Sequence, residues 1–163
     1  MSTTRKLASA TSALLTFVLV LAVPLGARAA ETSQAPQAAM IVNGTFTTQV
    51  VPCDSLCTQS LYRGDLEGTT EFTLISIEDT RVKNVSRYVG TLVLHTADGD
   101  LIGQDIGYWN TATGKYTDTY TITGGKGAFD GARGVLHLAG TLDAVTGTGS
   151  STYQGYIYWP CDR

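Results

Sequence analysis

Two aspartates, Asp105 and Asp118, are the residues of this chain best placed for acid–base chemistry. Each sits among residues that alternate polar and apolar, the pattern of a half-buried strand. The loop Thr111 to Gly114 between their strands pairs Asn110 with Lys115, which sets Trp109 opposite Tyr116, Gly107 opposite Asp118 and Asp105 opposite Tyr120. The two carboxyls then share one face as diagonal neighbours, about 7 to 8 Å apart at Cα. If that face is enclosed, desolvation and mutual repulsion raise at least one pKa toward the range useful for proton transfer. At a solvated barrel mouth, or bonded to tyrosine hydroxyls, the same pair is only structural.

The aromatic residues Tyr88, Trp109, Tyr116, Tyr120 and Tyr153 fall on the same face and form the candidate wall of a substrate-binding lumen. The opposite face of the strand carrying Asp118 is the row Thr117, Thr119, Thr121 and Thr123, suited to water. His95 and His137 also point outward in this register. A Ser-His-Asp arrangement therefore lacks an inward histidine, and Gly124 to Gly127 lacks the Lys-Ser/Thr ending of a phosphate loop. No cofactor motif is present, and none is expected to be needed.

The elements that position these residues are short strands. Glycine numbers 18 and proline 4, and runs rich in Thr, Val, Ile and Tyr are separated by glycine-rich turns. Strands are expected at Met40–Val51, Ser60–Glu78, Arg87–Thr96, Asp100–Asn110, Lys115–Gly124, Arg133–Asp143 and Gly149–Trp159, with one helical turn near Gly127–Ala132. Asp98-Gly99 reads as a two-residue hairpin loop, which pairs Ala97 with Asp100, Leu94 with Gly103, Leu92 with Asp105 and Tyr88 with Trp109. The loop Ala144 to Gly147 puts Leu136, Leu138, Leu142, Tyr153 and Ile157 inside. The fold class is all-β, a single small antiparallel β-barrel of seven to eight strands, the count depending on whether Ser60–Glu78 breaks at Gly68.

Arg5 and Lys6 precede an apolar run from Leu14 to Leu25 and the small-residue pattern Ala27-Arg28-Ala29. This is the pattern of a signal peptide over residues 1–29, with cleavage after Ala29 or Ala30 and export of the remainder. The run is shorter than the roughly 20 residues of a spanning helix, so no membrane anchor is expected after cleavage. Residues 30–39 are polar and unperiodic, a disordered linker, and residues 40–163 form the barrel domain. The chain beyond residue 29 has 8 basic and 14 acidic residues, a net charge of −6, which speaks against nucleic acid as a partner.

Cys53, Cys57 and Cys161 all lie in the exported part, where disulfides form. No second Cys or His pair stands at ligand spacing, so a metal is not expected. In a seven-strand barrel all three cysteines reach one end, and a bridge from Cys161 to Cys53 or Cys57 would close a loop of about 100 residues, worth at most roughly 4 to 5 kcal/mol. That long bridge is the expectation. In an eight-strand barrel Cys161 lies at the far end and Cys53 pairs with Cys57.

The stretch Gly124-Gly125-Lys126-Gly127-Ala128-Phe129-Asp130-Gly131-Ala132-Arg133-Gly134, followed by the strand Val135 to Leu142, resembles the corner of the allene oxide cyclase and dirigent type of barrel. The likeness spans roughly Gly44 to Ile157 and is nearest to small secreted bacterial members. It implies an eight-stranded, calycin-like barrel that binds an apolar molecule, with cyclisation promoted by holding a flexible substrate in a reactive shape. None of that family's catalytic residues maps onto a position here. The functional expectation is a secreted barrel that binds a hydrophobic small molecule, with cofactor-independent cyclisation or isomerisation as the activity its lumen would support. The rival is an exported, non-enzymatic structural or interaction protein whose barrel is filled by its own side chains. Neither reading specifies an oligomeric state.

Overall fold

Period-two alternation runs through eight segments, and each becomes a strand. The computed structural model describes residues 39–160. The strands are β1 (Met40–Val51), β2 (Cys57–Gly64), β3 (Gly68–Asp79), β4 (Val85–Thr96), β5 (Gly99–Asn110), β6 (Lys115–Gly125), β7 (Arg133–Leu142) and β8 (Thr148–Tyr158), with a single 3-10 turn at Gly127–Phe129. Each pairs antiparallel with the next, and β8 pairs with β1, closing the barrel. Closure leaves no unpaired edge.

The seven-strand reading is corrected at Asp65-Leu66-Glu67. Asp65 accepts hydrogen bonds from the backbone N–H and the side-chain amide of Asn43, at 2.8 and 2.7 Å. Leu66 turns inward, 3% exposed, and its N–H donates to the Tyr153 hydroxyl at 2.8 Å. The chain therefore folds back here, splitting one long strand into β2 and β3.

An even strand count changes the cysteines. β8 runs away from the end that holds the β1–β2 loop, and Cys53 bonds to Cys57 within that loop. The expected long bridge is thereby overturned. Cys161 lies outside the described residues, as do the signal segment 1–29 and all of the linker except Ala39. A bridge across a loop this small contributes at most about 2 kcal/mol. The double variant Cys53→Ser/Cys57→Ser should accordingly lose no more than that in urea unfolding, and peptide mapping without reductant should recover Cys53 joined to Cys57.

Register in the second half of the chain follows the loop lengths. Trp109 faces Tyr116, Gly107 faces Asp118, Asp105 faces Tyr120 and Leu138 faces Tyr153. The β4–β5 hairpin differs by two residues from expectation: Thr96 pairs with Gly99, so Leu94 faces Leu101, Leu92 faces Gly103 and Tyr88 faces Gly107. The cause is local. The Thr96 hydroxyl accepts from the Asp98 N–H at 3.1 Å and donates to the Gly99 carbonyl at 2.9 Å, while Gly99 takes φ +145 as the first residue of its strand. A slide of two keeps every side chain on its face.

The interior is divided along the barrel axis. One end is packed solid by Val42, Leu94, Leu101, Ile122, Leu136 and Ile157, each at most 1% exposed, and is closed by Leu66 and Phe129. Phe129, on the glycine corner, stacks on Trp159 with ring centroids 6.1 Å apart. The other end, where β1 runs into β2, is not filled.

Candidate functional site

The unfilled half of the lumen is a cavity bounded by β1 to β7 and by Leu56 of the disulfide loop. That loop is tied to β3 by the Leu74 N–H donating to the Leu56 carbonyl at 2.9 Å and by the Ser55 hydroxyl donating to the Leu74 carbonyl at 3.3 Å. The cavity offers about 90 Å³ to the centres of water-sized molecules, inside an empty envelope of about 700 Å³ that runs out to solvent. Pockets for drug-sized ligands span about 300 to 1,000 Å³. The enclosed part is far below that range, so a guest is either small or inserts only its head.

Asp105, Asp118, Tyr88, Trp109 and Tyr116 all line this cavity. Tyr120 and Tyr153, expected beside them, stand on the inner face but in the packed half instead of the cavity wall. The Tyr120 hydroxyl donates to the Leu101 carbonyl at 2.8 Å, and Tyr153 holds Leu66. Both brace the closed end. His95 and His137 are outside: His95 contacts Asp100 at 2.8 Å and His137 is exposed.

Phe46, Tyr62 and Phe72 complete the wall and were not anticipated. Their signal is the alternation of Val42, Gly44 and Phe46, of Ser60 and Tyr62, and of Thr70, Phe72 and Leu74, in strands whose faces the hairpin loops used above do not assign. A bulge between Leu74 and Ser76 then reverses the parity of β3, so that Ile77 reaches the cavity opposite Tyr88.

The two carboxyls are deeply buried, Asp105 at 3% and Asp118 at 8% exposure. The β4–β5 register explains how Asp118 is held. Tyr88 faces Gly107, and its ring crosses the space a side chain there would fill: a Cβ on Gly107 would lie 2.6 Å from the Tyr88 hydroxyl and 2.5 Å from the Asp118 Cβ. Tyr88 thereby donates to Asp118 Oδ2 at 2.6 Å. The expected register, with Trp109 opposite Tyr88, would have blocked this contact.

Burial pushes the Asp118 carboxyl up to about 7, with the Tyr88 hydroxyl pulling the other way. Burial also pushes Asp105 well above the usual carboxylate range, reinforced by repulsion from Asp118 and opposed by the Ile106 N–H. Both carboxyls are thereby biased toward their protonated forms. Tyr62 and Tyr88 are pushed up by burial and then by the two aspartates, so both stay neutral donors. Replacing Tyr88 by Phe removes the bond that favours ionised Asp118. The Asp118 midpoint in Tyr88→Phe should rise above its wild-type value, read by carboxyl-carbon NMR, and an unchanged or lower midpoint would contradict this assignment.

Among the described residues, four buried side-chain atoms have no hydrogen-bond partner: Tyr62 Oη, Asp105 Oδ1, Trp109 Nε1 and Asp118 Oδ1. All four residues line this one cavity. An unpaired buried polar group costs about 1 to 3 kcal/mol, and fully paired interiors are the rule elsewhere. All four are thus concentrated in the wall of one cavity.

No protein-family model matches the chain, and no curated protein sequence matches it. Among solved structures it is similar to a pterocarpan synthase dirigent protein, at 13% identity over 80% of this chain and 90% of that one, with a TM-score of 0.33. A likeness that distant transfers no residue roles.

Proposed function

We propose that this chain is an exported barrel that binds a small, mainly apolar molecule in its lumen and promotes an isomerisation or cyclisation of it, with Asp105 and Asp118 handling the protons. The observation that carries this reading is the convergence of four unpartnered polar atoms on one aromatic-walled cavity. The chemistry is redox-neutral. A protonated carboxyl gives its proton to the guest while its ionised partner removes one, so no cofactor enters the balance. Phe46, Tyr62, Phe72, Tyr88, Trp109 and Tyr116 supply the shape that holds a flexible guest in a reactive conformation. The Cys53–Cys57 bond and the pattern of residues 1–29 support export.

A second reading, a barrel without a guest, is favoured by the small enclosed volume of about 90 Å³. The chain has two tryptophans, so a Trp159→Phe background leaves Trp109 in the cavity wall as the sole tryptophan, excited selectively at the red edge of the absorption band. Titration with a panel of small aromatic and terpenoid molecules should give at least one saturable change in emission, weakened about tenfold or more by Asp105→Asn. A flat response across the panel rejects the binding reading and leaves the filled barrel.

A further inference from the structure

The cavity's polar content is one-sided. Two carboxyls face it, and no Lys, Arg or His lines it. The titratable groups packed around the pair are Tyr62 from β2, Tyr88 from β4, and Tyr116 and Tyr120 from β6. β1 and β7 contribute Phe46, Thr48, Leu138 and Leu142 to the wall, none of them ionisable. Nothing in this surrounding supplies a counter-charge.

We propose that the guest's head is a protonated amine, seated between the unpartnered Asp105 Oδ1 and Asp118 Oδ1 and enclosed by the aromatic wall. The inference rests on lumen binding alone: with an ammonium seated on both carboxylates the pair holds no proton to give, so such a guest is bound and not turned over by this pair.

Three features support it. An ammonium donates up to three hydrogen bonds, enough for both free carboxyl oxygens and for Tyr62 Oη as an acceptor. Rings on several sides favour a cation through their faces, and the effect is largest where water is excluded. The exported part, with 14 acidic and 8 basic residues, attracts cations over anions.

Trp109 Nε1 can only donate, so the remaining orphan is met by an oxygen beside the ammonium. The best fit is therefore an aromatic or aliphatic amino alcohol or amino ether. Seating the cation favours ionised carboxyls, so binding releases the proton that the empty pair holds, and the affinity rises with pH until the amine itself loses its proton.

The test compares 2-amino-1-phenylethanol with its isostere 1-phenyl-1,2-ethanediol, which replaces only the ammonium by a hydroxyl. Both are titrated into the mature protein by calorimetry and by Trp109 emission in the Trp159→Phe background. The amine should bind at least about tenfold more tightly than the diol near pH 8. That advantage should shrink severalfold near pH 5, where the pair is protonated, and calorimetry in two buffers should show proton release near pH 7. The advantage should vanish in Asp105→Asn/Asp118→Asn. Diol binding equal to or tighter than amine binding overturns the cationic head while leaving the lumen as a binding site. An amine preference that survives in the double variant, or is independent of pH, also overturns it. Binding of neither probe, together with a flat response to the wider panel, removes both this inference and the function it builds on.

Discussion

The barrel is expected to lose stability as pH rises from about 4 to about 7, the reverse of ordinary acid denaturation. The sign follows from the buried pair. In the unfolded chain Asp118 releases its proton near 3.8, whereas in the folded protein burial raises it to about 7. Between those values the folded state binds more protons than the unfolded state, so unfolding becomes easier with each added pH unit. Stabilisation from this group is complete below the unfolded pKa and is lost as pH rises through the folded one.

The slope is about 1.4 kcal/mol per pH unit for one such group, so Asp118 alone accounts for about 4 kcal/mol across the window, with Asp105 acting in the same direction. For a domain of this size that is a fall in Tm of roughly 15 °C. Asp100 is the opposite case: its hydrogen bond from His95 lowers its pKa, with Lys126 assisting, so its contribution is lost only as pH falls below the ordinary carboxylate value and does not mask the trend. Asp118→Asn should flatten the profile and leave the barrel more stable than wild type near pH 8. A wild-type Tm that climbs from pH 4 to pH 7 would contradict the assignment.

Gly103→Ala should strongly destabilise the barrel. Gly103 stands where the β5–β6 register shifts, and a Cβ there would overlap the Thr121 backbone carbonyl while lying 2.8 Å from the Tyr120 ring. Neither can yield: the carbonyl belongs to the barrel ladder, and the ring is fully buried with its hydroxyl committed to Leu101. Overpacking of this kind costs about 3 kcal/mol or more. Gly124→Ala is the internal control. It also lies in β6 near the shift, but its Cβ would approach nothing nearer than the Arg133 guanidinium at 3.9 Å, so its stability should change by less than about 1 kcal/mol in either direction. Equal losses in the two variants would show that the close approach at Gly103 is not what requires glycine there.

Much of the site was legible because a period of two tolerates error. The Thr117, Thr119, Thr121 and Thr123 row and the loop Thr111 to Gly114 sufficed to put Asp105 and Asp118 on one inner face, and the β4–β5 hairpin kept its faces although its register slid by two. What that slide hid was the bond from Tyr88 to Asp118, which depends on Tyr88 facing a glycine and not Trp109. The break at Asp65-Leu66-Glu67 was illegible for a different reason. Leu66 continues the apolar alternation of a strand, and its inward turn is held by Tyr153, 87 residues further along the chain. The sequence therefore left seven and eight strands both open and favoured the long bridge of the odd count, whereas the structure has the even count and the Cys53–Cys57 bond that goes with it. The depth of the carboxyls could not be read either, because the division of the lumen into a packed half and an open half appears only when all eight strands are closed.

Proton handling in this lumen depends on a carboxyl that keeps its proton at neutral pH among aromatic side chains. Carboxyl-carbon NMR on protein labelled at aspartate, with the Asp105 and Asp118 signals assigned by their Asn variants, reads this directly. The Asp118 midpoint should be about 7 and that of Asp105 should lie well above the normal range. Midpoints near the unperturbed value of about 3.9 for both groups would mean a solvated, fully ionised pair and would contradict the proposed proton-handling site.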